Sequence, residues 1–381
     1  MKILMVSIPS LHFFRWTRQL ENSGHEVYWF DITGMSEKSE RLNWVSQKTG
    51  WKLKWNYPGR LFVKKNFLKL YQFLQSFNEH KTAVIFEQYL NEIKPDVVHS
   101  FSIQIASLPI LPVMKKHHCL KWIYSSWGSD IFNKKGKNNF DSNVKEIFSR
   151  VDYMFSDNQR DAEIARDFGF KGINLGVFPG GGGYDLKLIK QLSAPLEKRK
   201  IILIKGYEGS LGRCIAVLKA IQNLKELIEN FEIVIFGAHQ SVFDFVQNSE
   251  MYSWGNLKIY ANISHHEVLV YMGKSKFYIG NSMSDGLPNT LLEAICSGTF
   301  PIQSNPGRVT EEVIKDGFNG KLIINPEDVE QLKNIIKETI KKEDINLGIA
   351  YNLNLVSPKL EMKYIAAEVK KAYNQLENKR V

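Results

Sequence analysis

Asp285 and Glu293 stand eight residues apart in the stretch NSMSDGLPNTLLEAICSGTFPIQSNPG, residues 281–307. Asp285 falls in a turn. Glu293 falls inside a short helical run whose other members, Leu291, Leu292, Ala294 and Ile295, want burial. A carboxylate placed there needs a partner that offsets its desolvation. The vicinal hydroxyls of a ribose are such a partner, because one carboxylate can accept from both. Between the two acids, Gly286, Leu287, Pro288, Asn289 and Thr290 open the helix. Helix N-termini present free amides and a positive dipole end, which suit an anion. The spacing reads as a nucleoside at Glu293, a diphosphate at the amides of residues 287–290 and a sugar at Asp285. Capping or dipole complementarity is the plainer reading of Asp285 taken alone.

Other loops carry related chemistry. Lys205 and Gly206 begin KGYEGSLGR, which ends at Arg213, and Gly237 follows the apolar run EIVIF. Glycines let backbone approach a ligand, and the two cations can neutralise phosphate. Each glycine at a strand-to-helix turn can equally be structural. In the first half, His12, His99 and Asp130 each follow a predicted strand and are candidates for a ligand cleft. Each could instead be a turn or core residue. His117, His118, His265 and His266 show no metal-ligand pattern and are expected at the surface. There is no Asp-x-Asp pair, so no metal clamp and no cofactor are expected.

The elements that must position these residues alternate. KILMVSI, HEVYWFDI, PDVVHSFS, LKWIYSS and VDYMFSDN read as strands, with helices over about 12–23, 82–93 and 141–149 and in DAEIARDFG. A second series follows: KIILIKG, FEIVIFG, LKIYANI, KFYIGNS and TFPIQSN as strands, with helices over 212–228, near 241–247 and over 264–273. Helices finish the chain from about 326 to 378. Such alternation is the signature of mostly parallel sheets covered by helices. The expected class is α/β, two Rossmann-like doubly wound domains facing each other across a cleft. Their expected bounds are 1–180 for the first domain, 181–199 for a linker entered through four glycines, 200–358 for the nucleotide-sugar domain, and 359–381 for a C-terminal helix packing back toward the first domain.

The totals bound the function. A chain of 381 residues suits two domains, and its 44% hydrophobic and 24% charged composition is that of a soluble globular protein. Three separated cysteines argue against a disulfide framework or zinc site. MKILMVSIPS reads as a first strand rather than a signal peptide, and no segment reaches the roughly 20 apolar residues of a membrane span. A cytoplasmic protein is expected. The net charge of +10 is unevenly spread: residues 41–78 hold no acid, eight basic residues and interleaved aromatics. That mixture suits peripheral contact with an anionic membrane on its inner face. A solvated basic face over an ordinary core helix is the plainer reading. A nucleic-acid binder built on this stretch would leave Asp285 and Glu293 without use, so no nucleic-acid partner is expected.

Residues 281–320 resemble the donor-binding region of glycosyltransferase family 4, retaining group 1 enzymes of the GT-B fold. That family carries two acids in the context Glu-Gly-(variable)-Leu-Leu-Glu-Ala-(variable)-Gly-(variable)-Pro, and DGLPNTLLEAICSGTFP is similar to it. EEVIKDGFNGKLI at 311–323 continues the resemblance. PDVVHSF at 95–101, SSWGSDI at 125–131, VFPGGGGYDL and SLHFFRWTRQLENSGHEV at 10–27 are looser matches. The resemblance implies a hexosyltransferase using a nucleotide-diphosphate sugar, UDP-sugars before GDP-sugars. It implies a glycan or lipid-linked acceptor in the synthesis of bacterial polysaccharide or lipopolysaccharide. That acceptor would be bound by the first domain, with His12, His99 and Asp130 as its cleft candidates and Asp130 to orient the acceptor or a sugar hydroxyl. With no Asp-x-Asp pair, a metal-independent reaction is expected. A nucleotide-sugar epimerase of the same fold is the alternative. Three departures stand out. Asp285 replaces the first glutamate, Trp127 stands where many members have histidine, and Lys205 and Arg213 have altered spacing.

Overall fold

The computed structural model describes residues 1–127, 130–132, 140–342 and 344–378. Gly128 and Ser129 of the turn after Trp127, and the last three residues of the expected C-terminal helix, lie outside the described residues. The chain divides into two compact units. The first holds Met1–Ser156, Asp161–Val177 and the residues from Glu368 onward; the second holds Asp157–Arg160 and Phe178–Ala367.

The first unit contains strands β1 (Lys2–Ser7), β2 (Glu26–Asp31), β3 (Ser46–Lys48), β4 (Val97–Phe101), β5 (Lys121–Ser125), β6 (Tyr153–Ser156) and β7 (Ile173–Val177). They form one sheet in the order β3-β2-β1-β4-β5-β6-β7, and every pairing is parallel. The second unit contains β8 (Ile201–Lys205), β9 (Glu232–Phe236), β10 (Leu257–Tyr260), β11 (Ser275–Gly280), β12 (Phe300–Ser304) and β13 (Lys321–Ile323), ordered β10-β9-β8-β11-β12-β13, again all parallel. Both are doubly wound α/β sheets. A parallel sheet is covered on both faces, so its strands read as continuous apolar runs. In β8 and β9, Ile202, Ile204, Ile233 and Ile235 pack into one core, while Ile201, Leu203, Val234 and Phe236 pack into the core on the opposite face.

Several elements differ from expectation. The helix expected over 12–23 is α1 (Leu11–Arg18), capped by the Ser10 side chain. The helix expected over 212–228 is two, Cys214–Gln222 and Lys225–Ile228. Residues 181–199, read as a linker, carry the helix Leu186–Leu192, capped by Asp185, and Ile189 is buried in the second unit's core. Arg199 is also buried, donating to the carbonyls of Ala194, Ser297 and Gly298. Among the glycines before this helix, Gly180 and Gly183 have close neighbours. A Cβ on Gly180 would meet the Tyr184 hydroxyl at 2.5 Å. Gly183 has φ +69°, and a Cβ there would meet the backbone of Met362 at 2.8 Å. The absence of a side chain lets two backbones touch.

The last helix, Met362–Asn378, joins the first unit from Glu368. Tyr373 is fully buried there and its hydroxyl meets Trp16 Nε1 and His99 Nδ1. The basic insert forms two short helices, α2 (Arg60–Asn66) and α3 (Leu68–Asn78), broken at Phe67. No residue of α2 is buried, and α3 buries only Gln75 and Asn78. Among the described residues no helix is long and apolar enough to cross a membrane.

Candidate active site

In doubly wound sheets, ligands bind beyond the carboxyl ends of the strands. In the second sheet β8 lies between β9 and β11, so the loops that leave these three strands are neighbours. Their close approach requires glycine. A Cβ on Gly206 would meet Ala238 Cα at 2.6 Å, and Gly237, with φ +64°, would push a Cβ to 2.9 Å from Tyr207 Cε1. Tyr207 stacks on His239 with centroids 5.3 Å apart and planes 17° apart. Lys205 Nζ lies 4.6 Å from the centre of the Tyr207 ring and 3.7 Å from Asp285 Oδ2. Lys205 and Asp285, taken from sequence stretches eighty residues apart, therefore form one charged pair at this edge.

Arg213 belongs to the same edge. Its Nε donates to Glu327 Oε1 at 2.8 Å, and its Nη1 donates to the carbonyls of Gly209 and Gly212. Glu208, in the same loop, accepts from the Ile215 amide at 2.7 Å, on the first turn of the helix Cys214–Gln222.

The stretch after β11 turns at Asp285 and enters the helix Asn289–Cys296. Pro288 is its N-cap residue, no side chain caps it, and its first turn contains no acid. A helix N-terminus without a side-chain cap suits an anion. Pro288 has no N–H, so it drops from the expected set of donors. Gly286 and Leu287 before it, and Asn289 and Thr290 after it, keep theirs. The side chains of the last two are engaged below the turn: Asn289 Oδ1 accepts from Tyr184 at 2.6 Å, and Thr290 Oγ1 meets the Tyr278 hydroxyl at 2.7 Å.

Glu293 is only 2% exposed. Its Oε1 lies 2.7 Å from Nε2 of His265, the first residue of the helix His265–Lys274, whose side chain is half exposed. His265 was expected as a surface residue without a role. Its place beside a buried acid could not be found from spacing, since the two are 28 residues apart. Arg160 was also missed. It clusters with the second unit and donates to the carbonyls of Asp285 and Pro306 at 3.1 and 2.9 Å. The amides of Gln159 and Arg160 are held by Glu312 at 2.8 and 3.0 Å. Asp285 is therefore fixed through its backbone as well as its side chain.

The first-unit candidates separate. Asp130 follows β5 and accepts from the Ile103 amide and the Tyr124 hydroxyl, both at 2.8 Å, and from the Trp127 amide at 3.3 Å. Burial, with Asp161 nearby, pushes its carboxyl up to about 7 against these donors. His12 is exposed at the start of α1, its ring 6.1 Å from that of Trp127. These two share the carboxyl edge of the first sheet. His99 does not reach it. It lies within β4, fully buried, with Nδ1 on Tyr373 at 2.5 Å and Nε2 on Ser125 at 2.8 Å. Burial holds its pKa well below the ordinary histidine value. Both ring nitrogens are satisfied inside the core, which corrects the expectation of a cleft residue.

Two parallel, doubly wound units of this kind define the GT-B fold. Comparison with known proteins agrees along the chain. The family described as Glycosyl transferase 4-like matches residues 2–158, and the family described as Glycosyl transferases group 1 matches residues 187–353. Both halves of the chain thus match glycosyltransferase families, and the protein is a glycosyltransferase. An uncharacterized glycosyltransferase of Methanocaldococcus jannaschii, MJ1069, is 24% identical over 165 residues, a stretch that spans 42% of each chain. Among solved structures, Anabaena Alr3699/HepE in complex with UDP superposes with a TM-score of 0.68 at 13% identity, covering 98% of this chain and all of that one. The lipopolysaccharide outer core galactosyltransferase WaaB superposes with a TM-score of 0.66 at 16% identity, covering 98% and 99%. At such identities the structural likenesses speak for the fold.

Proposed function

We propose that this protein is a retaining glycosyltransferase. In this reading it moves a sugar from a nucleotide-diphosphate sugar, a UDP-sugar before a GDP-sugar, to a glycan or lipid-linked acceptor in the synthesis of bacterial surface polysaccharide. The observation that carries it is the buried Glu293 on a helix whose uncapped N-terminus opens beside the Lys205–Asp285 pair. Ribose hydroxyls would take up Glu293, the amides around Asn289 would take the diphosphate, and Asp285 would accept from the sugar. The main task of the protein in such a transfer is to stabilise charge growing on the leaving diphosphate. Lys205, Arg213 and the helix-end amides can supply that, and the reaction is proposed to need no metal. UDP in the HepE complex supports the choice of base. In the first unit, Asp130 and His12 are proposed to meet the acceptor.

The reading includes a membrane partner. Leu61, Phe62 and Phe73 are each more than 60% exposed on α2 and α3, among Lys64, Lys65 and Lys69. Apolar rings beside lysines suit the interface of an anionic bilayer, where a lipid-linked acceptor would be met.

The test is a thermal-shift panel of UDP, GDP, ADP and CMP against the wild type and Glu293→Ala, with and without EDTA. A ligand that binds only the folded state raises its melting temperature. Stabilisation by one nucleoside diphosphate, insensitive to EDTA and lost in Glu293→Ala, is the expected result. No shift with any nucleotide above a millimolar would overturn the donor site. Product analysis with the stabilising nucleotide's sugars then separates transfer from epimerisation.

A further inference from the structure

The donor loops of the second unit set an acid against each of their cationic elements. Lys205 faces Asp285 at 3.7 Å, the first turn of the helix Cys214–Gln222 gives the Ile215 amide to Glu208 at 2.7 Å, and Arg213 Nε faces Glu327 at 2.8 Å. Two cationic side chains thus stand among three carboxylates. An incoming diphosphate must compete with these carboxylates for Lys205 and Arg213.

Glu327 is the acid built to yield. Its side chain is 58% exposed, while the guanidinium it holds is 22% exposed. Arg213 does not depend on Glu327 for its place, because Nη1 is also anchored on two backbone carbonyls. The pairing itself is engineered by a third residue. The buried Asn281, at the end of β11, gives its Nδ2 to the carbonyl of Arg213 at 3.1 Å and to that of Pro326 at 2.8 Å. One side chain therefore fixes the cation's backbone and the turn that carries the acid. Within that turn the Glu327 amide donates to Asn325 Oδ1 at 3.1 Å.

We propose that Glu327 is a counter-carboxylate that competes with the nucleotide's diphosphate for Arg213, and so sets how long the nucleotide product stays bound. The inference rests on the reading of Arg213 as a phosphate ligand. Transfer needs the leaving diphosphate to be stabilised, and turnover needs it to be let go. Product release limits many enzymes. A carboxylate tethered beside the cation serves both needs, moving aside for the diphosphate and reclaiming Arg213 as it leaves.

The experiment is UDP titration calorimetry with steady-state transfer on the wild type, Glu327→Gln, Arg213→Ala and the double variant. Glu327→Gln is expected to bind UDP about two- to five-fold more tightly, the fold-change a partly exposed ion pair supplies, and to turn over more slowly. In the Arg213→Ala background the same change is expected to do nothing. If Arg213→Ala weakens UDP binding while Glu327→Gln leaves it unchanged or weakens it, Glu327 orients Arg213 rather than competing for it, and the inference falls while the donor site stands. If Arg213→Ala leaves UDP binding unchanged, Arg213 is no phosphate ligand and the inference falls with it. The Glu293→Ala result then judges the donor site separately.

Discussion

Oε1 of Glu293 lies 2.7 Å from Nε2 of His265, joining the helices Asn289–Cys296 and His265–Lys274. The imidazole supplies the donor that a buried carboxylate requires. In the proposed donor complex, ribose hydroxyls would contend for the same oxygens.

His265→Ala should therefore cost stability and change its response to nucleotide. Leaving a buried acceptor unsatisfied costs about 1–3 kcal/mol, read as a lower urea midpoint. UDP should raise the melting temperature of this variant by more than it raises that of the wild type. A lower melting temperature with an equal or smaller UDP shift would put the ribose away from Glu293.

Asp130 gives a pH signature. Its folded pKa of about 7 lies above the ordinary aspartate value of 3.8, chiefly through burial. Between those values the folded protein keeps a proton that the unfolded chain releases. The contribution of this group to stability is full below the unfolded value and is lost as pH rises to about 7. Relative to Asp130→Asn, the wild type should lose stability between pH 4 and about 7. Parallel urea midpoints for the two proteins across that range would remove the argument.

His99 has the opposite sign. Burial depresses its pKa below the ordinary 6.5, so its stabilising effect is present above that value and is lost as pH falls through it. His99→Gln should be less stable at neutral pH, through lost packing against Phe101 and Tyr373, yet should lack the acid-side step. Its UDP affinity should match the wild type. A selective loss of transfer in a well-folded His99→Gln would return this residue to the active site.

The exposed rings of α2 and α3 can be tested without disturbing the fold. Phe62 and Phe73 are 65% and 62% exposed, so replacing both with serine removes little core. Burying a phenylalanine in an apolar phase is worth about 1.5–3 kcal/mol, so binding to anionic vesicles should fall about tenfold or more per ring. Added salt should weaken what remains, through Lys64, Lys65 and Lys69. Equal sedimentation of wild type and double variant would show that the face has another use.

Much of this was legible in the sequence, and the gaps have physical causes. The central strands announced themselves because both their faces are covered; IILI in β8 and IVIF in β9 are apolar throughout. The edge strands β3, β7 and β13 passed unseen. Ser46–Lys48 and Lys321–Ile323 are three residues long, and Ile173–Val177 has no buried residue. An edge strand pairs on one side only and carries little apolar pattern. Asp285 and Glu293 could be read from their own neighbours, whereas His265, Arg160 and Glu327 meet residues remote in sequence. His99 sits inside the run PDVVHSFS, two residues before the end of β4, whereas His12 stands five residues past the end of β1, so the strand reading already separated them.

Asp285 carries the last prediction. Its Oδ2 is 3.7 Å from Lys205 Nζ and its carbonyl accepts from Arg160, so its backbone is held apart from its carboxylate chemistry. Asp285→Asn keeps the shape and the backbone bond and removes the charge. If the carboxylate accepts from the sugar, transfer should fall about 100-fold, the scale of a misplaced reacting group. UDP, which lacks the sugar, should bind as well as before or better, because Lys205 loses a competing acid. Asp285→Glu restores the charge one methylene further out and should recover part of the rate. The measurement is transfer kinetics beside UDP calorimetry on the same three proteins. A parallel loss of UDP affinity and rate in Asp285→Asn would mean that the carboxylate shapes the loop for the diphosphate and does not reach the sugar.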